Sequence, residues 1–451
     1  MTRSPRSRWL MAAAGASSLA LVLSGCSSSD DTATDGDASA PAVDCAAYES
    51  YGDLSGKTIN VYASILSPEL EMYEAAYVPF EECTGANIQF EGSAEFEAQL
   101  KVREKAGNPP DIALIPQPGL LATMVATGSV VAPSAGTVTN TDANWTPDWK
   151  GYGTVDGTFY APPNSSNLKS LVWYSPSMFA DNGWTIPTTW DELKALTDTI
   201  VASEAVDKPW CVGIGSGDAT GWPLTDWMED VMLRMHGTAV CDQWVNHEIA
   251  FNDPKVAQVL DEVGYFVKNP DYVNGGYGDV SSIASTTFQD GGLTILDGMC
   301  ALHRQAQFYG GQWPEGTNIA EDGDVFAFYL PSMDDTTPVL GGGEFITAFS
   351  DRPEVLAAQE WMTTVEYANS LAANSTGLAS ANLNADPTLF KGIAAVAQPA
   401  FADPDSQFRF DGSDAMPSAV GAGSFWVGMT EWITGKSTQD TLDFIENSWP
   451  E

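Results

Sequence analysis

Between residues 58 and 128 short apolar runs alternate with helix signals, and this alternation restricts the chain to a sheet flanked by helices. The run 58–64 (TINVYAS) predicts a buried strand. Ser67 and Pro68 follow as N-cap and first residue of a helix reaching about Cys83. Residues 87–90 predict a second strand, and 95–106 a second helix closed by Gly107. Pro109-Pro110 interrupts the chain before a third strand at 111–115, and a short helix over 120–127 stops at Gly128. Strand and helix in this order give a parallel α/β sheet with ligand-facing loops at the strand C-termini.

A second unit begins at the strand-like run 168–174 (LKSLVWY). Its first helix is marked by Thr189 and Glu192, a capping box opening TWDELKALTDTI. Further helices start at Pro223 and at Asp253-Pro254, with strands expected at 299–303 and 324–330. No repeat of solenoid period interrupts this order. At 451 residues the chain is too long for one compact core, so two domains are expected.

The first 25 residues have a different character. Arg3, Arg6 and Arg8 form a basic start, and an apolar stretch runs from 9 to 22. Gly15, Ser17 and Ser18 break it, and it is short for a hydrocarbon layer about 30 Å thick. Leu23-Ser24-Gly25-Cys26 resembles the lipobox of bacterial lipoproteins, which implies cleavage before Cys26 and lipid on that cysteine. Residues 26–44 are Ser, Asp and Ala with almost no hydrophobe; they are expected to be a disordered tether reaching roughly 24 Å. No later segment approaches eighteen consecutive apolar residues. The expected location is extracytoplasmic, lipid-anchored to the cell membrane.

The formal net charge is −41, which disfavours nucleic acid and anionic headgroups and suits a neutral or cationic ligand. An acidic surface also keeps an exported protein soluble, and that is its main meaning. With Cys26 lipidated, five of the six cysteines remain in a compartment that permits disulfides. Local pairing favours Cys45–Cys83 and Cys211–Cys241, each closing a loop that contributes roughly 3–4 kcal/mol. Cys300 is then a buried free thiol, although the sequence leaves its pairing open.

The run 168–193, LKSLVWYSPSMFADNGWTIPTTWDEL, resembles the extracellular solute-binding proteins of carbohydrate ABC importers, the maltodextrin-binding-like group. Trp173-Tyr174-Ser175 departs mildly from the family's Tyr-Asn step. Residues 110–128, the Gly341-Gly342-Gly343 return followed by 345–349, and Ser424-Phe425-Trp426 near the end agree with the same family. ATGWPLTDWMED at 219–230 is most similar to α-glucoside or oligosaccharide binders. The resemblance implies a periplasmic-binding-protein-like fold: two α/β lobes with parallel sheets, joined by crossing hinge segments. Lobe 1 would comprise 45–168 and 345–390, and lobe 2 would comprise 169–344 and 391–451. It further implies a monomeric receptor that closes on a neutral carbohydrate and delivers it to permease subunits in the membrane.

A sugar presents hydroxyls that need donors and acceptors, and C–H faces that pack on aromatic rings. Candidates at first-lobe strand ends are Ser64, Glu95 and Gln117, with Lys169 at the crossover. In the second lobe the flexible loop before Trp222 presents that ring for stacking, with Asp226 one turn further on. Arg304 and Gln305 follow a predicted strand, Glu344 follows three glycines, and Trp426 matches a sugar-stacking tryptophan of the family. Each has a plainer alternative: Glu95 as a helix first-turn carboxylate, Lys169 and Arg304 in ion pairs, the tryptophans in cores.

Other chemistry finds little support. Gly56-Lys57-Thr58 lacks the P-loop glycine, Tyr51 standing in its place, and Ile214 stands where a nucleophile elbow around Ser216 needs glycine. His236, His247 and His303 have no zinc-enzyme spacing, and Glu321-Asp322-Gly323-Asp324 lacks the EF-hand pattern. The expectation is therefore no catalytic residue, no cofactor and no metal. A secreted glycosidase, with two carboxylates in a sugar cleft, and a lipid-anchored polysaccharide-binding adhesin are the rival readings.

Overall fold

In a computed structural model of the chain, the residues described are 44–375, 377–402 and 406–450. The expected leader, Cys26 and the tether through residue 43 lie outside them. β1 (Thr58–Ala63) sends successive side chains to opposite sides. Ile59, Val61 and Ala63 enter one core beside Tyr73, Tyr77 and Phe80 of the helix Glu69–Thr84. Tyr62 enters another, with Phe96 and Leu100 of the helix Phe96–Lys105. β2 (Asn87–Gly92) and β3 (Ile112–Ile115) flank β1 in parallel. The first helix starts one residue later than expected. Pro68 is its N-cap, and the Ser67 hydroxyl donates to Glu71 Oε1 at 2.7 Å instead of capping.

After the helix Pro118–Thr127 and a small hairpin, β4 (Thr154–Val155) and β5 (Thr158–Phe159), the chain leaves this sheet. The expected strand at 168–174 is two strands, β6 (Asn167–Leu168) and β7 (Leu171–Tyr174), because Lys169 and Ser170 carry the chain from one sheet to another. β8 (Lys208–Trp210), β9 (Cys300–Arg304) and β10 (Phe326–Tyr329) complete a second sheet, ordered β10-β7-β9-β8. β11 (Pro338–Gly342) then pairs antiparallel with β6, and β12 (Phe345–Ala348) rejoins the first sheet antiparallel to β3. Late in the chain β13 (Gln407–Phe410) adds to β11 in parallel. The first sheet is thus parallel except for β12. In the second, β7 runs antiparallel to both neighbours and only β8–β9 is parallel. Strands that arrive by crossing between sheets take the direction of the crossing.

The capping box forms as expected, Thr189 and Glu192 bonding each other's backbone at the start of the helix Trp190–Ser203. Cys45 and Cys83 are disulfide-bonded, which ties the N-terminal turn Cys45–Tyr51 to the first helix. The Cys211–Cys241 pairing is wrong: Cys211 bonds Cys300, and Cys241 is the free, buried thiol. The reason is the sheet. Cys211 follows β8 and Cys300 opens the adjacent β9, and both face the core that holds Trp173 and Ile295. Cys241 belongs to the large core on the other face, with Trp244 and Phe425. It lies beyond Gly237, where the helix Trp222–Val245 breaks. Among the described residues, no helix is long and apolar enough to cross a membrane.

Candidate functional site

The ends of β1 and β3, the crossing segments and the loops of the second sheet wall a cavity of about 410 Å³. From the first sheet come Ser64 at the end of β1, Gln117 just after β3, and Glu69 and Glu97 from helix first turns. The crossings contribute Asn167 and Lys169, Gly343 and Glu344, then Asp411 and Asp414 after β13. The second sheet's loops contribute the 215–217 turn, Trp222, Phe288 and Phe308, with Trp426 from a C-terminal helix. At Gly343 the crossings run so close that a Cβ would lie 2.2 Å from the Ser165 carbonyl oxygen. Only glycine permits that approach.

Six of the ten expected ligand residues line this cavity: Ser64, Gln117, Lys169, Trp222, Glu344 and Trp426. Four do not. Glu95 is exposed at the N-cap of its helix, at the lip where Gly217 approaches from the other side. A Cβ on Gly217 would meet Ala94 O at 2.6 Å and Glu95 Oε1 at 2.8 Å. The hydrogen bond and charge of Asp218 raise the Glu95 pKa. Gln305 is turned inward, its Oε1 accepting from the Ala306 backbone at 2.8 Å.

Asp226 and Arg304 belong to a buried ion chain behind the wall. Lys169 Nζ donates to Asp226 Oδ1 at 3.0 Å and to Asp411. Arg304 bonds Asp226 Oδ2 at 3.2 Å and also Asp230. Arg234 closes the series on Asp230 Oδ1 at 2.6 Å and donates to the backbone carbonyls of Leu330 and Pro331. Glu229 lies alongside, accepting from the amides of Gly412 at 2.8 Å and Ser413 at 2.9 Å. Burial raises the Asp226 pKa to about 7 against the pull of Lys169 and Arg304. Asp411 is also pushed upward by burial, but Lys169 and the hydrogen bonds around it win and hold it at about 2. The carboxylates of Asp226, Glu229 and Asp411 lie within 4.8 Å of one another, and the lysine ammonium sits among them.

Three rings form a cup in the second-sheet wall. Trp222 lies edge-on to Phe288 with centroids 5.2 Å apart, and Phe308 is 6.0 Å from both. Each ring is half-buried, whereas Trp173, Trp210 and Trp227 are sealed in cores. Lys169 Nζ is 5.6 Å from the Trp222 ring centroid, near enough for a cation–π contact. Other groups of the lining lack partners. The buried Gln117 Oε1, Asn167 Oδ1 and Trp426 Nε1 make no hydrogen bond. Gln117 spends its amide nitrogen on Glu97 at 3.0 Å, and Ser165 donates to Glu344. Burial raises the pKa of Glu69, with Glu344 adding to the effect; burial likewise raises those of Glu97, Glu344 and Asp414. Buried polar atoms without partners are costly, so such a wall suits a ligand that supplies donors and acceptors.

Sequence reasoning missed Glu69, Glu97, Asn167, Phe288, Phe308, Asp411 and Asp414. Glu69 and Glu97 were legible as first-turn carboxylates facing the strand ends, the position that drew attention to Glu95. The phenylalanines lie in irregular segments where no periodicity marks a facing side.

The family model for bacterial extracellular solute-binding proteins matches residues 64–365. The chain is 38% identical over 416 residues to the alpha-glucosides-binding periplasmic protein AglE of Rhizobium meliloti, covering 88% of each chain. It is 36% identical over 409 residues to the osmoprotective compounds-binding protein GgtB of Synechocystis, covering 88% of this chain and 94% of the relative. A chitin oligosaccharide binding protein of known structure superposes with a TM-score of 0.71 at 15% identity, over 86% of this chain and 97% of the other. The fold is that of the two-lobed solute-binding proteins.

Proposed function

Since the chain belongs to the bacterial extracellular solute-binding proteins, a family of receptors and not of enzymes, we propose that it captures an α-glucoside or related oligosaccharide between two closing lobes and delivers it to the permease of an ABC importer. The observation that carries this reading is the pairing of the Trp222–Phe288–Phe308 cup with facing carboxyl and amide groups. A pyranose has an apolar C–H face for the rings and an equatorial belt of hydroxyls for Glu69, Glu97, Gln117 and Glu344. The relative named for binding alpha-glucosides supports the same class.

In this reading 45–168 with 345–390 form one lobe, and 169–344 with 391–451 the other. Lys169, Gly343 and Asp411 lie at the three crossings between them. Lipid on Cys26 holds the monomeric receptor at the outer face of the cell membrane. Replacing Cys26 by Ser should release the exported protein into the soluble fraction; retention on the membrane would remove the anchor.

The test of the ligand is a panel of α-glucosides and oligosaccharides added to the mature chain. A true ligand raises thermal stability by RT ln(1 + [L]/Kd), about 2.7 kcal/mol at a hundredfold excess over Kd. The sugar should be recovered unchanged. Its hydrolysis would favour a glycosidase, and silence across the panel would rule out the carbohydrate.

A further inference from the structure

The cavity wall holds more carboxyl groups than a neutral sugar needs. Five carboxyls line it, those of Glu69, Glu97, Glu344, Asp411 and Asp414, against one cation, Lys169. That cation is already committed, because its ammonium bonds Asp411 and Asp226, leaving Asp414 at 4.0 Å. Glu97 and Glu344 receive only neutral donors, from the Gln117 amide and the Ser165 hydroxyl. No cation and no hydrogen-bond donor among the described residues reaches the Glu69 carboxyl. Independently of these charges, two buried acceptors of the same wall, Gln117 Oε1 and Asn167 Oδ1, have no partner. A hydroxyl brings one donor together with two acceptor lone pairs. An ammonium brings three donors, no acceptor and a positive charge, so it suits the carboxyls and the two acceptors better, while the unpaired Trp426 Nε1 is left for a hydroxyl or ring oxygen of the ligand.

We propose that the preferred ligand is a sugar bearing a protonated amino group, an amino-substituted glucoside whose nitrogen lies beside Glu69 and Glu344. The inference rests on the carbohydrate reading above and narrows it. Hydroxyls still meet the amides, and the ring still packs on the aromatic cup. Discrimination comes from the ammonium, whose charge favours the ionised form of carboxyls whose pKa burial raises and then pairs with it, where a hydroxyl only hydrogen-bonds them.

The test uses the mature chain with maltose and trehalose, and with derivatives of each in which one hydroxyl at a time is replaced by an amino or an acetamido group. Calorimetry is expected to show at least one amino derivative binding tenfold or more tightly than its parent. The matching acetamido derivative, similarly placed but uncharged, should gain nothing. The amino advantage should shrink as salt rises from about 20 mM to about 300 mM. In Glu69→Gln the ratio of amino to parent affinity should fall towards one. Glu344→Gln provides the same readout if the first variant folds poorly. Parent sugars that bind while every amino derivative binds equally or more weakly would overturn the inference and leave the carbohydrate reading standing. An unchanged ratio in both variants would overturn it too. If no compound of either kind binds, the carbohydrate reading falls, and the inference with it.

Discussion

Asp226 stands between two cations, accepting from Lys169 Nζ at 3.0 Å on the cavity side and from Arg304 at 3.2 Å on the far side. Both its partners and Asp226 itself are buried, so none of the three charges can fall back on water. The chain of alternating charge continues through Asp230 to Arg234, which is anchored on the carbonyls of Leu330 and Pro331. One end of a structural network thus fixes the one ammonium that, among the described residues, lines the cavity.

Lys169→Met should therefore be severe. It leaves Asp226 and Asp411 facing each other with one cation fewer, and breaking a buried pair from one side costs about 3–5 kcal/mol. Urea denaturation should show that loss, and ligand affinity should fall with it. Adding Asp411→Asn to Lys169→Met removes the stranded charge and should recover part of the stability. A loss below about 1 kcal/mol in the single variant would mean that the ammonium is far better solvated than its position indicates.

Aromatic contacts give the second prediction. Trp222→Ala removes the central ring of the cup, and Trp426→Ala removes a ring whose indole nitrogen is unpaired in the cavity wall. Truncating a dominant contact of this kind costs about 2 kcal/mol, or about thirtyfold in Kd. Trp222 is half-exposed, so its loss should leave the ligand-free melting temperature nearly unchanged, whereas the buried Trp426 should cost stability as well. Undiminished ligand-induced stabilisation in both variants would place the sugar elsewhere.

Stability should decline from about pH 5 to pH 8 in the absence of ligand. Glu69, Glu97, Glu229, Glu344 and Asp414 all have raised pKa values because burial penalises their charge, and Asp226 is raised to about 7. A raised group binds its proton more tightly in the folded state. Its contribution is complete below its ordinary value and is lost as pH rises through the folded value. His303, pushed down to about 4 by burial, acts the other way as pH falls below its ordinary 6.5, but six carboxyls outnumber it. Asp411, held at about 2, loses its contribution only in strong acid. Melting temperatures across this range test the sign, and Glu69→Gln should flatten the slope. A melting temperature that rises from pH 5 to pH 8 would contradict the assignment.

The sequence made the first sheet legible because its strands and helices carry clean periods and clear stops. β1, β3 and the helix ending at Gly128 fall within a residue or two of their expected places. Polar residues just past those strands, Ser64 and Gln117, reach the cavity for the same reason. Asp226 and Arg304 lie off the cavity lining, which the sequence could not show, because it reveals that a charge follows a strand or opens a helix but not which way it faces. Their mutual attraction turns both inward. The same blindness to facing led to the Cys211–Cys241 pairing. Proximity in sequence favoured it, whereas adjacency of β8 and β9 across a separation of 89 residues decides the bond.

The cysteine assignment makes a direct chemical prediction. The folded mature chain should show no thiol accessible to reagent at its non-lipidated cysteines, and the unfolded, unreduced chain should show one, at Cys241. Cys241→Ala should abolish that signal. Cys300→Ala should instead expose Cys211 and cost roughly 4 kcal/mol, since the bond closes a long loop. Two thiols in the unfolded Cys241→Ala variant, or peptide mapping that links Cys211 to Cys241, would restore the local pairing.

Closure itself can be probed at Gly217. Its φ of +56° and the 2.6 Å at which an added methyl would meet Ala94 O both demand glycine, but for different reasons. The backbone angle matters whether or not the lips meet, and it costs an alanine about 1 kcal/mol. If the lobes close as proposed, the contact with Ala94 is made only with the two lips together, and its cost then falls on the closed protein. Gly217→Ala should then lower ligand affinity by tenfold or more while reducing ligand-free stability only by the backbone term. Small-angle scattering with saturating ligand should show a larger radius of gyration for the variant than for wild type. Equal affinity and equal compaction would mean that the lip at Gly217 and Glu95 does not limit closing.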